Sequence, residues 1–149
     1  MKLKSIIPWL ALLAIPLSHL QAQEVTQLSD LTWKNRILVV HPQNASDLSN
    51  LWQKLEAAEE AVNERKIQVM ATWRNSVRLF PESNLRVSPE ALVRLLMVQQ
   101  ADYLLIGLDG SVKLKAAGTP PNLEQVFTLI DSMPMRQSEL SLSDFTNPE

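Results

Sequence analysis

The stretch YLLIGLDGSVKLK, residues 103–115, decides how the rest of the chain is assembled. An apolar run, residues 103–106, meets Asp109-Gly110 and is followed by alternation of Val112 and Leu114 with Lys113 and Lys115. A dipeptide of that kind favours a two-residue type I′ turn, because both central positions need positive φ. Period-two alternation then marks a half-exposed strand. The stretch therefore predicts an antiparallel hairpin, with Val112 and Leu114 on one face.

RILVV at residues 36–40 is short, apolar and β-branched, which predicts a buried strand. Over residues 46–62, Leu48, Leu51, Trp52, Leu55, Ala58 and Val62 recur at helical spacing, so one amphipathic helix is expected. KIQVMATW, residues 66–73, predicts the second strand, and residues 74–87, containing Pro81, an irregular connection. Ser88-Pro89-Glu90 combines a capping hydroxyl, a first-turn proline and an early acid, which predicts a helix to about residue 100. Thr119-Pro120-Pro121 opens a last helix with the stripe Leu123, Val126, Phe127, Ile130 and Met133, stopped by Pro134.

The expected order is β-α-β-α-β-β-α in one α/β domain over residues 23–139, followed by a flexible polar tail at residues 140–149. The first two strands should be parallel, joined by a right-handed crossover, with the hairpin antiparallel beside them. The sheet would be mixed and four-stranded, of order 2-1-3-4, with helices on both faces.

Residues 1–22 carry a different pattern. Lys2 and Lys4 precede an apolar run of about a dozen residues broken by Pro8 and Pro16, and Ala22 offers a small residue for cleavage. The run is short of the ~20 residues that span a bilayer. A signal peptide is expected, with the mature protein exported to the periplasm or secreted. Cleavage after Ala22 leaves 127 of the 149 residues. It removes two of 14 basic residues and none of 16 acidic ones, moving the net charge from −2 to −4. Nucleic-acid binding, which needs clustered positive charge, is not expected. No membrane span is expected after cleavage.

The chain has no cysteine. That excludes disulfides, thiol oxidoreductase chemistry and thiolate metal sites. His19 leaves with the signal, so His41 is the sole histidine of the mature chain, and no metal and no cofactor are expected. There is no Gly-rich phosphate loop and no G-x-S-x-G elbow. Nothing in the spacing of Asp131 and Glu139 marks a glycosidase pair. Asn44-Ala45-Ser46 is a glycosylation sequon, relevant only in a eukaryotic secretory pathway.

The layout resembles the thioredoxin core without its chemistry. Thioredoxins carry Cys-x-x-Cys where the first strand enters the first helix, and His41-Pro42-Gln43-Asn44 stands there. They also place a cis-proline before the third strand, where this chain has Ala101-Asp102. A closer resemblance rests on Trp33-Lys34-Asn35-Arg36, Asn63-Glu64-Arg65, residues 105–110 with Val112-Lys113-Leu114, and residues 129–137 (LIDSMPMRQ) with Glu139. By these the chain resembles the family called domain of unknown function 4174, related to the DUDES domains of sushi-repeat matrix proteins. The family more often has a basic residue at Leu108 and glycine at Ser111. The resemblance implies an exported thioredoxin-like fold and brings no established activity.

Strand directions sort the candidate residues into two poles. Trp33, Arg36, Asp109, Asp131 and Arg136 should meet at one end, with Arg36 paired to Asp131 or Asp109 and Met135 filling space against Trp33. An architectural ion-pair role is expected there. The other end lies beyond the carboxyl ends of the parallel strands, where open α/β sheets bind ligands. His41, Trp73, Arg74, Arg78 and Tyr103, with the loop at residues 116–119, are the candidate ligand pole. A small anionic ligand or an envelope protein is the expected partner, bound more strongly when His41 is protonated and less strongly at high salt. The expected function is a non-catalytic binding module. The alternative is a cysteine-independent enzyme using His41, Arg74 and Arg78.

Overall fold

The computed structural model describes residues 25–118 and 120–146, with the side chains of residues 144–146 left aside. The expected signal at residues 1–22 lies outside them, as does Thr119. A 3₁₀ turn, Leu28–Leu31, precedes β1 (Arg36–Val40), α1 (Ala45–Ala57), α2 (Glu59–Glu64), β2 (Ile67–Trp73) and β3 (Ser76–Phe80). Then come α3 (Pro89–Gln99), β4 (Tyr103–Ile106), β5 (Val112–Ala116), α4 (Leu123–Asp131) and α5 (Pro134–Thr146).

The sheet is mixed and five-stranded, of order β3-β2-β1-β4-β5. β1 runs parallel to β2 and antiparallel to β4, and the two outer pairs are antiparallel. Every residue of β1 is buried, as expected of a central strand covered on both faces. The four anticipated strands are neighbours in the anticipated sequence. The four-stranded sheet itself is corrected by β3, which occupies part of the stretch expected to be irregular.

The reason is local. Arg74 and Asn75 both have positive φ, 44° and 60°, and join Trp73 to its partner Ser76 in a two-residue turn of the I′ kind. The hairpin at Asp109-Gly110 is built differently. Gly110 has φ 78° and Asp109 does not share the positive value, and the Gly110 amide bonds the Gly107 carbonyl at 3.0 Å. The pairing then shifts by one residue, Leu105 facing Leu114 but Ile106 facing Val112. This bulge leaves Lys113 unpaired in the ladder and breaks the simple alternation expected of β5.

The helices sit where their apolar stripes require. α1, α2 and α4 bury Leu51, Leu55, Val62, Val126 and Ile130 against Leu38, Val40, Val69 and Leu105. α3 and the 3₁₀ turn bury Leu92, Leu96 and Leu31 against Ile37, Val39, Met70 and Leu104 on the opposite face. Asn44 caps α1, Ser88 caps α3 and Asn122 caps α4, each side chain accepting from a first-turn amide.

Two helical expectations change. The single helix over residues 46–62 is two helices broken at Ala58, whose amide is shared between the Lys54 and Leu55 carbonyls at 3.1 Å each. α4 ends at Asp131, short of the Met133 expected as its last buried residue, and Pro134 instead occupies the first turn of α5, where a missing N–H costs nothing. α5 continues through the stretch expected to be a loose tail, as far as Thr146. Among the described residues no helix is long and apolar enough to cross a membrane.

Candidate functional site

The starts of β1 and β2, the β4–β5 turn and the α4–α5 junction meet at one pole. Arg36, 1% exposed, opens β1 here. Its Nη1 donates to the Arg65 carbonyl at 2.8 Å and to Glu139 at 3.3 Å. Its Nε and Nη2 are buried and have no hydrogen-bond partner. The expected pairing with Asp131 or Asp109 is therefore corrected, because both acids are engaged by residues nearer to them. Asp131 accepts two bonds from Arg65, at 3.0 and 2.7 Å, and one from Arg136 at 3.4 Å. Asp109 accepts from Lys113 at 2.8 Å and from Ser111.

Arg136, 4% exposed, donates to the Glu64 carbonyl at 3.1 Å and to the Glu64 carboxylate. It lies 3.6 Å from Glu139, which also holds Lys66 at 3.2 Å. Glu64 and Arg65 end α2, so this helix supplies the links that the sequence reading had not placed. Arg65 also stacks on the Phe127 ring at 4.9 Å. Trp33 has φ 67° and donates its amide to the Leu108 carbonyl at 2.7 Å. Trp33 is 66% exposed and Met135 38% exposed, so the space-filling role expected of Met135 against Trp33 is not a buried one.

These contacts shift the acids in one direction. Burial pushes the Asp131 carboxyl up, but Arg65 and then Arg136 outweigh it and hold the group below its usual value. Burial acts likewise on Glu139, and Lys66 and Arg36 again win. Hydrogen bonds from Lys113 and Ser111 bring Asp109 down to about 2.

At the other pole His41 follows β1 and Thr72 lies near the end of the parallel β2. The His41 Nδ1 is 2.7 Å from the Thr72 hydroxyl, which lies 3.4 Å from the Val40 carbonyl. His41 lines two adjoining cavities. One, about 450 Å³, includes Trp73, Arg74, Glu90, Arg94 and Met97. The other, about 420 Å³, includes Met97, Leu96, Asp102 and Ala117. Met97 is 73% exposed between them.

The expected ligand pole is thus divided. His41, Trp73 and Arg74 come together. Arg78 does not: it sits 4.3 Å over the Trp52 ring, lining a separate groove of about 810 Å³ along β3 with Glu56 and Glu82. The unexpected strand causes this, since Arg78 and Phe80 share one face of β3 and Phe80 packs edge-on against Trp52 at 6.2 Å. Tyr103 packs on the core beneath α1 and α4 and lines neither His41 cavity. Arg94 was missed, although its position one turn beyond Glu90 on a helix reaching that pole could have shown it. Asp102 was also overlooked. Its carboxylate accepts from Gln43 at 3.0 Å and from the Gly118 amide at 2.6 Å, tying the β1–α1 connection to the loop after β5.

The fold and the two poles define a mixed α/β domain whose one end is closed by ion pairs and whose other end carries paired cavities. The chain belongs to the family described as domain of unknown function (DUF4174), whose model matches residues 27–139. All four motif segments named from the sequence place residues at the ion-paired pole. No curated protein and no solved structure matches the chain.

Proposed function

We propose that the protein is an exported, thioredoxin-like binding module without catalytic chemistry, taking a small anionic ligand or an acidic segment of an envelope protein around His41. The thioredoxin-like reading is supported by the neighbours β2-β1-β4-β5, with β3 as an added edge. Export is supported by Lys2, Lys4, the interrupted apolar run and Ala22. Intact mass of the envelope form should begin near Gln23, and a full-length cytoplasmic product would contradict export.

The observation that carries the binding reading is that His41, held by Thr72, stands between two cavities joined at exposed Met97, with Arg74 and Arg94 beside one of them. Apolar walls with a few convergent polar groups are what ligand sites present. The enzyme alternative is less supported. Arg78 stands apart from His41, and the hydrogen-bond partner of the imidazole is a hydroxyl rather than an orienting carboxylate.

The test is titration of the mature chain with anionic metabolites and acidic peptides, followed by amide chemical shifts. His41→Ala and Arg74→Ala/Arg94→Ala should each weaken binding about tenfold, a loss of roughly 1.4 kcal/mol. Arg78→Ala should leave it unchanged. Equal affinity in all four proteins, or loss only with Arg78→Ala, overturns the site.

A further inference from the structure

The ion-paired pole holds a cavity of its own, of about 390 Å³, lined by Arg36, Leu108, Lys113, Leu129, Met133 and Met135 among others. We propose that this cavity is a binding site for a carboxylate carried on a short apolar stem, received by Arg36.

Three observations converge. The first is the state of the guanidinium. Buried polar groups are nearly always paired, and Arg36 keeps two donors, Nε and Nη2, buried without a partner. These two lie on the same edge of the guanidinium plane, the fork that meets a carboxylate through two parallel bonds. The opposite nitrogen, Nη1, is fixed by the Arg65 carbonyl and Glu139, which leaves the Nε and Nη2 edge uncommitted. That edge is covered in this structure, and the ligand reaches it by displacing the adaptable methionine side chains of the lining.

The second is charge. Among the described residues, the linked cluster contains four cations, Arg36, Arg65, Lys66 and Arg136, against three carboxylates, Glu64, Asp131 and Glu139. The cluster carries one positive charge in excess, with Lys66 and Glu64 more than half exposed and Arg36 buried, and a carboxylate at Arg36 balances it. Asp109 at the wall is committed to Lys113 and Ser111 and does not serve.

The third is the lining. Leu108, Leu129, Met133 and Met135 supply the apolar part, and methionine adapts to irregular shapes. Met135 and Arg136 also stand in the first turn of α5, where amides have no intrahelical acceptor and the helix end favours an anion.

A free acid and the C-terminus of a peptide present the same group, and the experiment separates them. The mature chain is titrated with hexanoate, with hexanamide, and with a short Leu-ending peptide having a free or an amidated C-terminus. Hexanoate or the free-terminus peptide should bind and shift the amides of Leu108, Ser132 and Met135, and the neutral amide should bind at least about tenfold more weakly. Binding should be lost in Arg36→Met and in Met135→Trp, which fills the cavity from an exposed position. The peptide binding better than hexanoate assigns a chain terminus; the reverse assigns a small acid. No binding by either carboxylate, equal binding by acid and amide, or undiminished binding in Met135→Trp overturns the proposal.

Discussion

Arg65 closes on Asp131 through two hydrogen bonds, Nε at 3.0 Å and Nη2 at 2.7 Å, and so ties the end of α2 to the end of α4. Asp131 was one of two acids, with Asp109, expected to serve Arg36; instead it holds Arg65 and, more loosely, Arg136. Asp131→Ala therefore strips a partner from two arginines, one of them 4% exposed. The acid itself is partly solvated, so the loss should be about 1–3 kcal/mol, below that of a fully buried pair. Urea unfolding measures it, and a midpoint equal to wild type would refute the architectural role.

Arg36 should behave differently from Asp131. Two of its donors are desolvated without compensation, so the residue contributes less to stability than its burial suggests. Arg36→Met keeps much of the volume and removes the desolvated charge, and should remain within about 1 kcal/mol of wild type. Arg36→Ala leaves a void as well and should lose about 3–5 kcal/mol. If Arg36→Met melts as low as Arg36→Ala, the charge itself is holding the fold.

Stability should fall in acid with a defined sign. The folded pKa values of Asp131, Glu139 and Asp109 are held below their usual ones, the last at about 2. Depressed carboxylates contribute stability that is complete above their unfolded values of ~4 and is lost as pH falls toward the folded values. Thermal melts should thus be flat from neutral pH to about pH 5 and decline below about pH 4. Asp131→Asn/Glu139→Gln should flatten that decline. A decline equally steep in the double variant would place the acid sensitivity elsewhere.

The β4–β5 turn offers a local check. Gly110 has φ 78°, and an added Cβ would lie 3.4 Å from the Thr32 hydroxyl. Gly110→Ala should lose about 1 kcal/mol or slightly more from the left-handed backbone. Gly107→Ala acts by crowding instead, since the added carbon falls 2.6 Å from Lys113 Cε. It should release Lys113 from Asp109 and raise the Asp109 pKa, readable by carboxyl NMR; an unmoved Asp109 would contradict that contact.

What the sequence disclosed was strand and helix identity wherever apolar spacing was long and regular. β1, β2, β4 and α3 follow directly from residues 36–40, 66–73, 103–106 and 88–99. β3 escaped because Arg74 and Asn75 form an I′ turn without glycine, and because Pro81 draws attention to the strand's end rather than its body. The same omission put Arg78 in the wrong place. α5 escaped because a proline that ends one helix can begin another. The convergence of Arg36, Asp109, Asp131 and Arg136 on one pole was legible from strand direction. Their pairing was not, because α2 supplies Glu64 and Arg65 from a break at Ala58 that carries neither proline nor glycine.

Binding without chemical conversion, at the strand-end face around His41, is what we propose for this chain. Native mass spectrometry of the protein, purified gently from its source cells, tests it most directly. The expected result is a noncovalent adduct of fixed stoichiometry, recovered chemically unchanged on release and absent from the His41→Ala/Arg74→Ala/Arg94→Ala variant. An adduct retained by that variant, or a released molecule that the wild-type chain converts into another compound, would contradict it.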